Sequence, residues 1–79
     1  MNEMSEYRGY FLEPQPLRIP GTDQCEISVE IHSSPTGVSS KPFYDGKFTG
    51  TEEEAVNHCL AFGKRIIDGQ VKNCSIRDL

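Results

Sequence analysis

The chain has 79 residues, a formal net charge of −4, 35% hydrophobic residues and no tryptophan. A chain of this length predicts one domain with a small core, burying roughly 60% of the surface that the unfolded form exposes. The negative charge argues against a general nucleic-acid or anionic-membrane binder, because both partners attract basic proteins. Three widely spaced cysteines, an acidic N-terminus and no apolar run predict a cytoplasmic protein with reduced thiols, no signal peptide and no membrane partner.

The first predicted strand follows a polar segment, residues 1–6, that we expect to fray. It is the stretch YRGYFLE, which is rich in aromatic residues and ends before Pro14. Because successive side chains of a strand point to opposite faces, the large apolar side chains of this segment are divided between both faces of the sheet. Tyr10 and Leu12 are expected on one face, and Tyr7, Gly9 and Phe11 on the other.

The clearest strand pattern runs from Cys25 to His32, where apolar and polar residues alternate strictly. This alternation is typical of a sheet with one dry face and one wet face. We expect the apolar set to contact a helix. The apolar set is Cys25, Ile27, Val29 and Ile31, and the polar set is Glu26, Ser28, Glu30 and His32.

A third strand is predicted after a turn or longer loop over residues 33–40, which contains Pro35 and Gly37. It begins near Val38 or Lys41 and ends at Phe48. Its packing residues are Phe43, Tyr44 and Phe48, and Asp45-Gly46 is a bulge or a second turn.

The segment from Thr51 to Gly69 predicts a long helix. Thr51 and Glu54 have the spacing of a capping box, and Gly69 stands where a helix commonly ends in positive φ. Glutamates in the first turn and basic residues in the last turns match the helix dipole. Apolar residues recur every three or four positions and form one stripe, namely Ala55, Val56, Cys59, Leu60, Gly63, Ile66 and Ile67, with Phe62 at its border.

The elements together predict an α+β domain over residues 1–79. Its architecture is a three-stranded antiparallel sheet within residues 7–48, with one long C-terminal helix, residues 51–69, packed on one face in the order β-β-β-α. Residues 70–79 form a tail that is either docked or disordered.

The sulfur, histidine and acidic residues all have structural explanations, so we predict no catalytic residue, no metal site and no cofactor. Cys25 and Cys59 lie on the predicted dry surfaces, where cysteine behaves as a small hydrophobe, whereas Cys74 is the one candidate for a reactive thiol. His32 and His58 are interpreted as surface residues. The glutamates at the start of the helix are explained by its dipole.

The remaining face of the sheet is the candidate interface, because aromatic residues of the first strand must share it with the polar set of the second. We therefore predict a non-catalytic interaction or accessory module that binds a protein partner or a second copy. The alternative is that the proline-rich connection or the tail covers the rings. The candidate residues are Tyr7, Tyr10, Phe11, Glu26, Ser28, Glu30 and His32.

Two resemblances bear on these predictions. The order β-β-β-α resembles the C-terminal part of double-stranded-RNA-binding domains, which implies a nucleic-acid-binding alternative, although Thr51 and the glutamates stand where those domains place lysines. More specifically, YRGYFLEPQP and FTGTEEEAVNHCLAFGKRIIDGQV resemble a group of small uncharacterised bacterial proteins. The shared positions are Tyr7, Gly9, Phe48, Thr51, Glu53, Glu54, Ala55, Ile67, Asp68 and Gly69. This group implies the fold and no activity.

Two alternative functions have structural requirements. A nucleic-acid-binding role needs one basic face built from Arg8, Arg18, Lys41 and Lys47. A small enzyme or ligand-binding subunit needs a cleft that joins His32 or His58 to a carboxylate.

Overall fold

The structure is a computed structural model that describes residues 4–34, 39–76 and 79. In chain order its elements are β1 (Ser5–Tyr7), β2 (Tyr10–Pro14), β3 (Leu17–Arg18), β4 (Gln24–His32), β5 (Ser40–Thr49) and α1 (Glu52–Ile67). β4 is the central strand: β2 and β3 pair along one of its edges, β5 pairs along the other, and β1 pairs with β2. Every pairing is antiparallel.

The predicted class is confirmed, an α+β domain with an antiparallel sheet and one C-terminal helix, but the predicted number of strands is wrong. The sheet has five strands instead of three. One reason is a hairpin inside the predicted first strand. Arg8 and Gly9 have φ angles of 52° and 86°, and positive φ at both central residues is the geometry of a tight two-residue turn.

This tight turn reverses the direction of the chain, so that Tyr7 pairs with Tyr10 and Ser5 pairs with Leu12. Ser5 and Glu6 therefore belong to a strand, and the expected fraying does not hold for them. Residues 1–3 of that predicted frayed segment lie outside the described residues.

The second additional strand arises beyond Pro14. The chain leaves the ladder around Pro16, which has no N–H to donate, and returns to it as β3, where Leu17 pairs with Glu26. Between these segments the Gln15 N–H donates to the Ser28 carbonyl over 3.0 Å. β2 and β3 thus form one interrupted strand along β4.

The strand β5 has a β-bulge at Asp45-Gly46. Glu26 pairs with Lys47 and Ser28 pairs with Tyr44, so two residues of β5 oppose Ile27 alone. Gly46 has a φ of 86°, which glycine adopts at little cost. The first of the two predicted alternatives, a bulge, is confirmed. The predicted turn at Pro35 and Gly37 lies outside the described residues.

The helix begins as predicted. Glu54 donates its N–H to the Thr51 hydroxyl over 3.1 Å, and Thr51 donates its N–H to the Glu54 carboxylate over 2.9 Å. Gly69, after the end of α1, has a φ of 75°. Among the described residues no helix combines the length and the apolar character that crossing a bilayer demands.

The core lies between α1 and the sheet, and the expected contact of the two apolar sets is confirmed. The four apolar residues of β4 are at most 2% exposed. Phe62, expected at the border of the helix stripe, is fully inside it at 2% exposure. The buried core consists of Leu12, Cys25, Ile27, Val29, Ile31, Phe43, Ala55, Cys59, Phe62 and Ile66.

The tail is docked over its described part, residues 70–76 and 79. Val71, Cys74, Ile76 and Leu79 are partly buried against the core. This outcome selects the first of the two predicted alternatives for these residues, whose apolar side chains pack against the core and not on the opposite side of the sheet.

Candidate functional site on the open sheet face

The sheet has one face that α1 does not cover, which we call the open face. It is defined by the polar residues of β4, Glu26, Ser28, Glu30 and His32, together with the residues that pair opposite them. Cross-strand partners project to the same side of a sheet. Their partners on β2, β3 and β5 are Phe11, Glu13, Leu17, Ser40, Pro42, Tyr44 and Lys47.

Tyr7 and Tyr10 belong to the other face, and this corrects the predicted alternation for Tyr7. Tyr10 is two residues from the buried Leu12, and its hairpin partner Tyr7 shares that side. Both rings pack against the core. The Tyr7 hydroxyl donates to the Asp68 carboxylate over 2.8 Å. The two-residue turn reverses the strand and so places both tyrosines together, which a single continuous strand cannot do.

The other predicted interface residues share the open face. Phe11 pairs with His32, and Tyr44 pairs with Ser28. His32 and Ser28 are only 8% and 7% exposed, so the interpretation of His32 as a surface residue is wrong, as is the expectation that both side chains face solvent. The central position of β4, with strands on both of its edges, leaves these two short or inward-lying side chains little access to water. Glu26 is exposed and Glu30 is half-buried.

The open face combines acidic charge with exposed apolar side chains. The strand pairing places four glutamates on the open face, namely Glu6, Glu13, Glu26 and Glu30. The same strand pairs place one basic residue, Lys47, on this face. Leu17 and Tyr44 lie on either side of β4 and are 63% and 71% exposed. A shallow cleft of about 310 Å³ is lined by Glu26, Ile27, Tyr44 and Gly46.

Three titratable side chains converge at one end of this face. Glu13 pairs directly opposite Glu30, and His32 is two residues farther along β4. One ligand atom from each of the three lies within 4.8 Å of the others. We call these residues the Glu13–Glu30–His32 cluster. His32 Nε2 is 3.0 Å from Glu13 Oε1.

Neighbouring polar groups hold the Glu30 carboxylate in place. Ser40 Oγ donates to one carboxylate oxygen over 2.5 Å, and Gln15 Nε2 donates to the other over 3.4 Å. Ser28 Oγ in turn donates to the Gln15 carbonyl over 2.6 Å. The cluster is therefore positioned by side chains on three strands and on the β2–β3 connection.

Sequence reasoning identified Glu30 and His32 as neighbours but missed Glu13. The signal that was available is the Glu-x-His spacing, which puts both side chains on one face of a strand. The sequence pattern does not identify the residue that lies opposite Glu30 on the neighbouring strand, because that residue depends on the register of the strand pairing.

The second histidine is on the helix side. His58 Nε2 is 3.7 Å from Asp45 Oδ2, and its ring centroid is 4.9 Å from that of Phe48. Both side chains are partly exposed, so this is a surface contact of the kind that contributes little. Each histidine thus has a carboxylate beside it, and within residues 4–34, 39–76 and 79 His32 lies near two.

The four basic residues that a nucleic-acid interface requires are not on one face. Arg18 pairs with Cys25 and Lys41 with Ile31, on the helix side of the sheet, whereas Lys47 pairs with Glu26 on the open face. Arg8 is at the hairpin tip, where its Nε is 2.9 Å from Asp68 Oδ1.

A scan against protein-family models, a search of curated proteins and a search of solved structures each returned no match. The resemblance to small bacterial proteins therefore stays a prediction.

The three cysteines make a testable prediction about thiol reactivity. All are free, Cys25 and Cys59 are buried, and Cys74 is half-buried. Burial raises the pKa of the Cys59 thiol, which depletes the nucleophilic thiolate. With a chromogenic disulfide reagent at pH 8, we expect one rapid thiol per folded chain and three in urea. The Cys74→Ser variant should lose the rapid phase, and a rapid phase that persists in it contradicts the prediction.

Proposed function

We propose that this chain is a non-catalytic interaction module whose open face binds a basic, partly apolar segment of a partner protein. The observation that supports this most directly is the uncovered face, on which Leu17 and Tyr44 flank a group of glutamates. Exposed apolar side chains beside charge are typical of interaction sites. We place the interaction in the cytoplasm, since Cys25, Cys59 and Cys74 are free thiols.

The negative charge of the open face favours a partner with basic side chains. Glu13, Glu26 and Glu30 lie along the middle of the open face, and such a surface attracts lysine and arginine side chains and accelerates their association. The same charge opposes RNA and DNA, whose phosphates need a basic surface.

The apolar contacts are expected to supply most of the binding free energy. Tyr44 borders the cleft that Glu26, Ile27 and Gly46 line, and an aromatic residue beside a concave site is a common hot spot. An apolar side chain of the partner that fills this cleft would be shielded from water by Tyr44. Basic residues next to it in the partner would then face the glutamates of the open face.

A second copy of the chain fits this face less well than a basic partner. A symmetric dimer uses the same patch on both subunits, so a dimer through the open face would oppose glutamates to glutamates. Light scattering at high concentration should give the monomer mass of 8.9 kDa. A dimer that the Tyr44→Ala substitution dissociates would replace the proposed partner with a second copy.

The decisive experiment compares matched surface variants. A partner captured from native cells is purified, and its affinity is measured for the wild type, Tyr44→Ala and Glu26→Lys. The control is Glu53→Lys, which makes the same charge reversal on an exposed position of α1. We expect Tyr44→Ala to cost about 2 kcal/mol, roughly 30-fold in Kd.

Glu26→Lys should slow association and remove most of its salt dependence, whereas Glu53→Lys should leave the affinity unchanged. Circular dichroism confirms that each variant is folded. A partner whose affinity falls in Glu53→Lys but not in the two open-face variants would refute the assignment of the binding surface.

A further inference from the structure

The Glu13–Glu30–His32 cluster brings two carboxylates together on paired strands. Glu13 and Glu30 stand directly opposite each other on paired strands, and like charges in that position repel. Among the described residues, the hydrogen-bond partners of the two carboxylates are Gln15, Ser40 and the His32 ring. None of these carries a permanent positive charge.

The His32 ring is held inside the cluster. The residue is 8% exposed, and its Nε2 lies 3.0 Å from Glu13 Oε1. Its buried Nδ1 has no hydrogen-bond partner among the described residues.

We propose that the Glu13–Glu30–His32 cluster binds a divalent first-row transition-metal ion, with Zn²⁺ as its best representative. Each residue provides one ligand atom, and the ion supplies the positive charge that the paired glutamates lack. This site does not depend on the proposed protein partner, because all three ligands belong to this chain.

The donor set determines the class of metal. One imidazole nitrogen with two carboxylate oxygens suits Zn²⁺ and its neighbours, whereas Ca²⁺ and Mg²⁺ prefer oxygen ligands alone. Three protein ligands also leave a coordination position for water.

The ligand atoms would have to shift relative to one another by at most about 1.5 Å to reach zinc geometry. The three ligand atoms lie within 4.8 Å of one another, and tetrahedral Zn²⁺ separates its nitrogen and oxygen ligands by about 3.3 Å. Glu13 has freedom to adjust, since its side chain is 31% exposed. Glu30 is already oriented by Ser40 and Gln15, and such partners of a ligand raise metal affinity.

The buried Nδ1 limits the affinity. When Nε2 ligates a metal, the ring proton moves to Nδ1, which has no acceptor among the described residues. A missing partner of this kind typically costs about 10–100-fold in affinity. We therefore expect a Kd for Zn²⁺ on the order of micromolar, weaker than that of structural zinc sites.

Titration calorimetry and thermal unfolding of the tag-free, chelator-treated chain test this proposal. We expect one Zn²⁺ per chain, and a rise in Tm of roughly 10 °C or more at about 100 times the Kd. Glu13→Gln and Glu30→Gln should each lower the Zn²⁺ affinity by about 10-fold or more. Ca²⁺ and Mg²⁺ should bind at least about 10-fold more weakly than Zn²⁺.

The controls separate this site from other metal-binding groups. Glu26→Gln removes a carboxylate from the same strand and face, His58→Gln removes the other histidine beside a carboxylate, and Cys74→Ser removes the accessible thiol. All three should bind Zn²⁺ like the wild type. No binding at millimolar Zn²⁺, equal binding of Ca²⁺, or loss of binding in a control with retention in Glu30→Gln would each overturn the proposal.

The stability of the Glu30→Gln variant without metal shows whether a loss of Zn²⁺ binding comes from unfolding or from the missing ligand. In chelator, circular dichroism should show that Glu30→Gln is folded, because the loss of a like-charge pair offsets the loss of one of the two hydrogen bonds that Ser40 and Gln15 donate to Glu30. A variant that is stable without metal and fails to gain stability with Zn²⁺ supports direct ligation by Glu30. Failure of this test leaves the proposed protein interaction intact, since that is measured separately through Tyr44 and Glu26.

Discussion

Replacing Gly63 by valine is expected to destabilise the protein by about 3 kcal/mol or more. Gly63 is buried in α1, where the helix approaches the sheet. A Cβ at this position would lie 3.0 Å from Leu12 Cδ2 and 3.2 Å from Val29 Cγ2, and valine adds two further methyl groups. Because a domain of this size is stable by only about 4–12 kcal/mol, urea unfolding should show a large fall in the midpoint.

The matched control is Ala61→Val, which introduces the same side chain two residues earlier at an exposed position of α1. It should cost only about 0.6 kcal/mol, the difference in helix propensity between alanine and valine. Equal unfolding midpoints for the two variants would show that the helix does not approach Leu12 as closely as described.

Truncating Leu12 to alanine is expected to cost about 2–5 kcal/mol of unfolding free energy. Leu12 is 0% exposed, pairs with Ile31 and lies beneath Gly63. Its removal would leave a cavity between β2, β4 and α1, a place where the surrounding backbone has little freedom to collapse. Thermal unfolding followed by circular dichroism measures the loss.

Leu17→Ala makes the same chemical change on the opposite face. Leu17 is 63% exposed, so we expect a change within about 0.5 kcal/mol. A cost for Leu17→Ala similar to that for Leu12→Ala would place Leu17 in a buried environment and would contradict the existence of an open face.

The core and the candidate site are linked through the strands themselves. Leu12 and Glu13 are consecutive, as are Glu30, Ile31 and His32, and alternate residues of a strand point to opposite faces. The buried side chains thus fix the register that brings Glu13 opposite Glu30. A site carried on packed strands is held more rigidly than one on loops, which favours a preformed ligand geometry.

Local chemistry in the sequence correctly predicts the helix and the central strand, and a bulge is one of the two alternatives that it predicts for Asp45-Gly46. The capping box of Thr51 and Glu54 and the positive φ of Gly69 depend on residues within a few positions of one another. The alternation in Cys25–His32 requires only that one face be buried. Each of these signals lies within one short segment and does not depend on contacts with residues far away in the chain.

The sequence by itself therefore determined the α1 helix, the dry face of β4 and the α+β class. Only the tertiary structure decided that Arg8-Gly9 folds back as a hairpin, that Tyr7 joins Tyr10 on the helix side, and that Glu13 lies beside Glu30 and His32. Arginine seldom adopts positive φ, and strand partners are selected by packing between segments far apart in the chain. Periodicity within one segment carries no information about which residue of another segment will stand opposite it.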